Sequence, residues 1–111
     1  MSVSINEEMI EELKDLMEDD FPLLINTFID DSNKRLVDLN SAIATNNANE
    51  VRELAHGFKG SSANLGIEKL SDISSELEAM GRDDELSGAE SKFKELDIEY
   101  KIILEYFKSL L

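Results

Sequence analysis

Apolar residues recur at spacings of three and four along nearly the whole chain. That period belongs to a helix, so the pattern predicts an all-α protein. Five helical segments follow from it. The first covers about residues 6–18, with Met9, Leu13, Leu16 and Met17 on its apolar side. The second covers about residues 22–45, with a stripe of Phe21, Leu24, Ile25, Phe28, Leu36, Leu39 and Ile43. Pro22 suits its first turn, where a missing N–H has no intrahelical partner to lose. Asn46 and Asn47 then break the pattern. The third covers about residues 48–65 and ends at Gly66, a residue type suited to the position just past a helix. The fourth covers about residues 68–80, with Leu70, Ile73 and Leu77 inward and Gly81 as its stop. Residues 83–88 read as a loop. The last helix covers about residues 89–110, with Phe93, Leu96, Tyr100, Ile103, Leu104 and Phe107 on one side.

Four long amphipathic helices with short connections pack best as an antiparallel up-and-down four-helix bundle. The short additional N-terminal helix is expected to cap one end or flank of it. The last helix carries a second, weaker stripe of Ile98, Ile102 and Tyr106, where the first helix is expected to dock. At 111 residues the chain has length for one core, so residues 1–111 are read as a single domain.

Composition narrows the function classes. With no Cys there is no disulfide framework, thiolate nucleophile or Cys-based zinc site. The amino terminus has neither a basic start nor an apolar core, so it does not read as a secretion signal. No apolar run approaches the roughly 18 residues of a membrane span. A soluble, cytoplasmic protein is expected. The 25 acidic residues outnumber the 11 basic ones, for a net charge of −14. Nucleic acid binding draws on phosphate neutralisation by Lys and Arg, so this balance argues against it, and equally against an anionic membrane surface. It suits attraction to a basic surface of a partner protein.

The chain has one histidine, His56. On the third helix Val51, Leu54, Ala55, Phe58, Ser62 and Leu65 share one face. His56 projects roughly 160° from the centre of that face, so it is not a core histidine. Arg52, Glu53, Lys59 and Gly60 lie one turn from it. Gly57 and Gly60 each cost about 1 kcal/mol relative to Ala inside a helix. Relief of crowding between helices is a sufficient reason for Gly57. Gly60 lies on the His56 side, away from the core, where access to the imidazole is the better reason. Lys59 is placed to neutralise an anionic group held on His56, unless it is an ordinary solvated lysine.

The run AHGFKGSSANLG at 55–66, followed by LSDISSELEAMGR, resembles the histidine-containing phosphotransfer (HPt) domain, whose pattern is A-H-x-[LF]-K-G-S-[SA]-x-x-[LIV]-G with a later L-E. The resemblance extends over most of the chain. The preceding FPLLINTFIDDSNKRLVDLNSAIATNNANEVRELAH is similar to the family's long helix, short turn and active helix. The family's small residue in the fourth helix corresponds to Ser74 or a neighbour. The resemblance implies that His56 accepts a phosphoryl group through Nε2, that Lys59 sits beside it, and that Gly60 opens access. It implies that Glu78 hydrogen-bonds the other ring nitrogen, fixing the tautomer. It further implies a monomeric carrier without its own ATP-dependent kinase activity. Its partners would be receiver domains of response regulators and of hybrid sensor histidine kinases. No cofactor or metal is expected on this chain, since Mg²⁺ would belong to the receiver.

Rival classes fare less well. Asp83, Glu85, Ser87 and Gly88 imitate an EF-hand start, but the twelfth position is Lys94 where a Glu is required. The Asp-Ser-Leu attachment site of acyl carrier proteins is absent. A helical-bundle adaptor that only binds a partner protein accounts for the periodicity but gives Lys59 and Gly60 no reason to flank His56. No phosphate-binding G-x-x-x-x-G-K-[ST] loop is present.

Overall fold

The computed structural model describes residues 5–111. Residues 1–4, part of the stretch read as lacking a secretion signal, lie outside the described residues. The elements are α1 (Glu7–Met17), a 3-10 turn (Glu18–Asp20), α2 (Phe21–Ala44), α3 (Ala48–Asn64), α4 (Glu68–Arg82) and α5 (Ala89–Ser109). Each of α2 to α5 packs on its chain neighbours, and α5 closes the ring against α2. The α3–α4 pairing is antiparallel, with Arg52 beside Gly81, His56 beside Glu78 and Lys59 beside Ser71. The fold is thus the expected all-α, up-and-down four-helix bundle with a short extra helix.

Local chemistry sets the ends. The Asn47 side chain accepts from the Glu50 N–H at 3.2 Å, capping α3 at its start. At its other end Gly66 has φ +70°, and the Ile67 N–H returns to the Ser62 carbonyl at 2.9 Å. That closing geometry favours glycine, because a Cβ is strained at positive φ. Pro22 lies in the first turn of α2, as its missing donor requires.

The core is one cluster. Phe28 meets Phe107 edge-on at 5.6 Å between ring centres, and Phe58 meets Tyr100 at 6.2 Å. The Tyr100 hydroxyl lies 2.8 Å from Asn33 Oδ1 and 3.2 Å from the Ile29 carbonyl, tying α5 to α2. Burial, with Asp30 nearby, pushes its phenol up to about 12. Phe58 is fully buried and fixes the rotation of α3 about its axis. Two residues at 100° each separate it from His56, which therefore faces out.

The structure departs from the sequence reading in three places. Leu16 is 81 % exposed, and Ile10 takes the inward place with half-buried Leu13 and Met17. A spacing of three, then four, keeps Ile10, Leu13 and Met17 on one stripe, which Leu16 leaves. The first helix is also tied to the α3–α4 turn, where the Asn6 N–H donates to the Gly66 carbonyl at 2.8 Å. Its Glu7 and Glu11 lie close enough to Tyr106 to add to the upward push that burial gives that phenol. Ile98, in the stripe expected to seat the helix, remains 63 % exposed. Finally, Gly81 does not stop α4, which continues to Arg82. Gly81 is buried against α3, a position only a residue without a side chain fits.

Candidate functional site

On α3, Val51, Ala55, Phe58 and Ser62 are buried and point inward. His56 stands on the opposite side with its side chain 68 % exposed. Across the seam, Leu77 of α4 is buried. Glu78 comes 100° round from it, at the edge of the helix's apolar face. Only 18 % of its side chain is exposed. One carboxylate oxygen, Oε2, lies 2.7 Å from His56 Nδ1, and the other, Oε1, accepts from Lys59 Nζ at 2.6 Å. One carboxylate therefore holds both the imidazole and the ammonium.

The electrostatics follow from this arrangement. The hydrogen bond from Lys59 is the main reason the Glu78 carboxyl sits below its ordinary value of 4.5. Partial burial works against that shift, and the His56 bond adds to it. An ionised carboxylate can only accept, so Nδ1 carries the proton in this contact. In a neutral imidazole the Nε2 lone pair is then free and directed outward. A charge-assisted bond of this length also restricts the ring's rotation.

This linkage gives a pH dependence. The folded value for Glu78 lies below its free value, so its contribution to stability is complete above 4.5 and is lost as pH falls through the folded value. Urea melts should show wild-type stability falling more than that of Glu78→Gln as pH is lowered from about 5. Parallel decline of the two proteins would contradict the arrangement.

The flanking residues have separate roles. A Cβ at Gly60 would meet nothing within 4 Å, so no packing contact requires glycine there. Gly60 and the exposed imidazole one turn away leave that flank of α3 open. Gly57 is different, since a Cβ there would approach Arg35 Nε at 3.2 Å. Arg35 of α2 lies across it, and its Nη1 donates to Ser61 Oγ at 3.4 Å. The neighbour across Gly57 is thus the flexible end of the Arg35 side chain, and the sequence offered no sign of it. On the α4 side, the Ser71 hydroxyl donates to the Lys59 carbonyl at 3.3 Å. Ser74, one turn before Glu78, is buried with its hydroxyl donated to the Leu70 carbonyl at 2.8 Å.

The structure brings together His56, Lys59 and Glu78 and places Gly60 beside them. Lys59 lies on Glu78, a partner that its spacing from His56 did not specify. Among the described residues no group of three or more His, Asp or Glu side chains is arranged to hold a metal. No helix among them is long and apolar enough to cross a membrane.

No curated protein sequence matches the chain. Among solved structures, the crystal structure of histidine-containing phosphotransfer protein B (HptB) from Pseudomonas aeruginosa PAO1 superposes with a TM-score of 0.93 at 33 % identity. The match covers 98 % of this chain and 95 % of that one. Residues 23–106, from α2 into α5, match the Hpt domain. An imidazole held at the surface of a helical bundle and a family match over most of the length lead to one conclusion: the chain belongs to the Hpt domain family, the histidine phosphotransfer intermediates of two-component phosphorelays.

Proposed function

We propose that His56 is the phosphoryl-accepting residue and that the exchange takes place between its Nε2 and the aspartate of a receiver domain. The observation that carries this reading is the Glu78 carboxylate bonded to His56 Nδ1 at 2.7 Å. It leaves Nε2 as the nucleophilic atom. The Nε2 lone pair attacks phosphorus in line, the N–P bond forms, and the P–O bond to the receiver's aspartate breaks. The aspartate leaves as a carboxylate. The ring keeps its Nδ1 proton and gains positive charge, which Glu78 offsets. Return of the phosphoryl group to an aspartate reverses each change.

Phosphoryl transfer depends on positioning and charge neutralisation more than on covalent chemistry. Glu78 supplies the positioning, and Gly60 leaves room for the receiver's approach. Lys59 supplies charge, because its ammonium need only move from Glu78 Oε1 toward the incoming phosphoryl oxygens. The Mg²⁺ of the reaction belongs to the receiver, and this chain holds no cofactor. It acts as a monomeric cytoplasmic carrier between receivers of hybrid sensor kinases and of response regulators, with no kinase activity of its own.

The test is incubation with radiolabelled, phosphorylated receiver domains and, separately, with labelled ATP. At least one receiver should pass acid-labile, alkali-stable label to the protein, and ATP alone should pass none. Label from ATP alone, or no label from any receiver of the source organism, would overturn the proposal.

A further inference from the structure

We infer that Gly81 is a positioning residue: its missing side chain sets the α3–α4 spacing at which Glu78 can hold His56. A Cβ on Gly81 would stand 2.6 Å from the Ala48 carbonyl oxygen, 2.6 Å from the Arg52 nitrogen and 2.9 Å from the Arg52 Cα. Heavy-atom contacts of this kind settle at about 3.5–4.0 Å, so roughly 1 Å of room is missing. All three neighbours are backbone atoms of α3. No side-chain rotation can make the room, and α4 would have to move away from α3. At Gly57, by contrast, an added Cβ meets only the movable end of Arg35.

The contact lies next to the site. Gly81 follows Glu78 by three residues, and Arg52 precedes His56 by four. At 1.5 Å rise per residue, the close approach is about 5–6 Å along the seam from the His56–Glu78 bond. Beyond the site, Ser71 holds the Lys59 carbonyl at 3.3 Å. The site therefore sits between two points where α3 and α4 are joined. Opening the Gly81 end carries Glu78 outward. A hydrogen bond of this kind weakens past about 3.2 Å, so the 2.7 Å contact has little slack. Lys59 has a long flexible stem and can follow, whereas the imidazole, close to the α3 backbone, cannot. The consequence for transfer rests on His56 being the acceptor. The consequence for the tautomer does not.

The experiment is NMR of the ¹⁵N-labelled imidazole, with phosphotransfer rates measured alongside. In the wild type the Nδ1–H tautomer should dominate. In Gly81→Ala that dominance should be lost toward Nε2–H, and transfer should slow about tenfold, as expected for loss of one hydrogen bond's contribution. Gly57→Ala should keep the wild-type tautomer. A folded Gly81→Ala protein in which either readout is unchanged overturns the inference. If the wild type itself takes no phosphoryl group, the function fails and the tautomer comparison alone decides the role of Gly81. If the variant does not fold, hydrogen exchange of the wild type decides. The Arg52 amide, near the start of α3 and beneath Gly81, should be as protected as the Phe58 amide mid-helix. Exchange at the rate of a frayed helix end would overturn the inference.

Discussion

Replacing His56 by glutamine should reduce phosphoryl uptake from receiver domains to background and leave the fold intact. Glutamine has no lone-pair nitrogen to attack phosphorus, since its amide nitrogen is delocalised into the carbonyl. It does retain N–H donors that can reach Glu78 Oε2, so the Glu78–Lys59 pair keeps its place. The imidazole is 68 % exposed and contributes little to the core. Stability should therefore change by less than about 1 kcal/mol. Residual acid-labile label on the folded variant would place the acceptor elsewhere.

Gly60→Leu should separate stability from activity in opposite directions. Nothing within 4 Å meets a Cβ at Gly60, so the larger side chain projects into open space and does not strain the bundle. Glycine is less favourable than alanine by about 0.8–1 kcal/mol in a helix interior and leucine falls only slightly below alanine, so leucine gains somewhat less than that over glycine. For a domain of this size that raises the Tm by about 5 °C. The same side chain stands one turn from His56, on the flank a receiver must approach. In-line transfer tolerates little displacement, and a misplacement of about 1 Å costs on the order of 100-fold in rate. Transfer should slow by about that factor while melting moves upward. Unchanged transfer would remove the access argument for Gly60, and a lowered Tm would show that packing requires the glycine after all.

The bundle was legible because its signals are local. The period of three and four survives in α2 to α5, Pro22 and Gly66 mark helix ends by backbone chemistry alone, and Phe58 and His56 fall on opposite faces of one helix. Relations between helices were harder to read. Glycine serves both as a helix terminator and where two backbones meet, so Gly81 could be read as a stop when it lies against Arg52. One of 25 acids could be placed at the edge of a stripe, but its two bonds to α3 depend on a register that the sequence does not print. Arg35 over Gly57 is another contact of that kind. In α1, Ile10 and Leu16 are alike in hydropathy, but only Ile10 shares a stripe with half-buried Leu13 and Met17, and it is the one buried.

The central claim concerns one atom, and NMR of the ¹⁵N-labelled protein after phosphorylation by a receiver tests it most directly. The claim predicts phosphorus on Nε2 of His56, with Nδ1 still protonated and bonded to Glu78. Phosphorus on Nδ1, or on any residue other than His56, would contradict it.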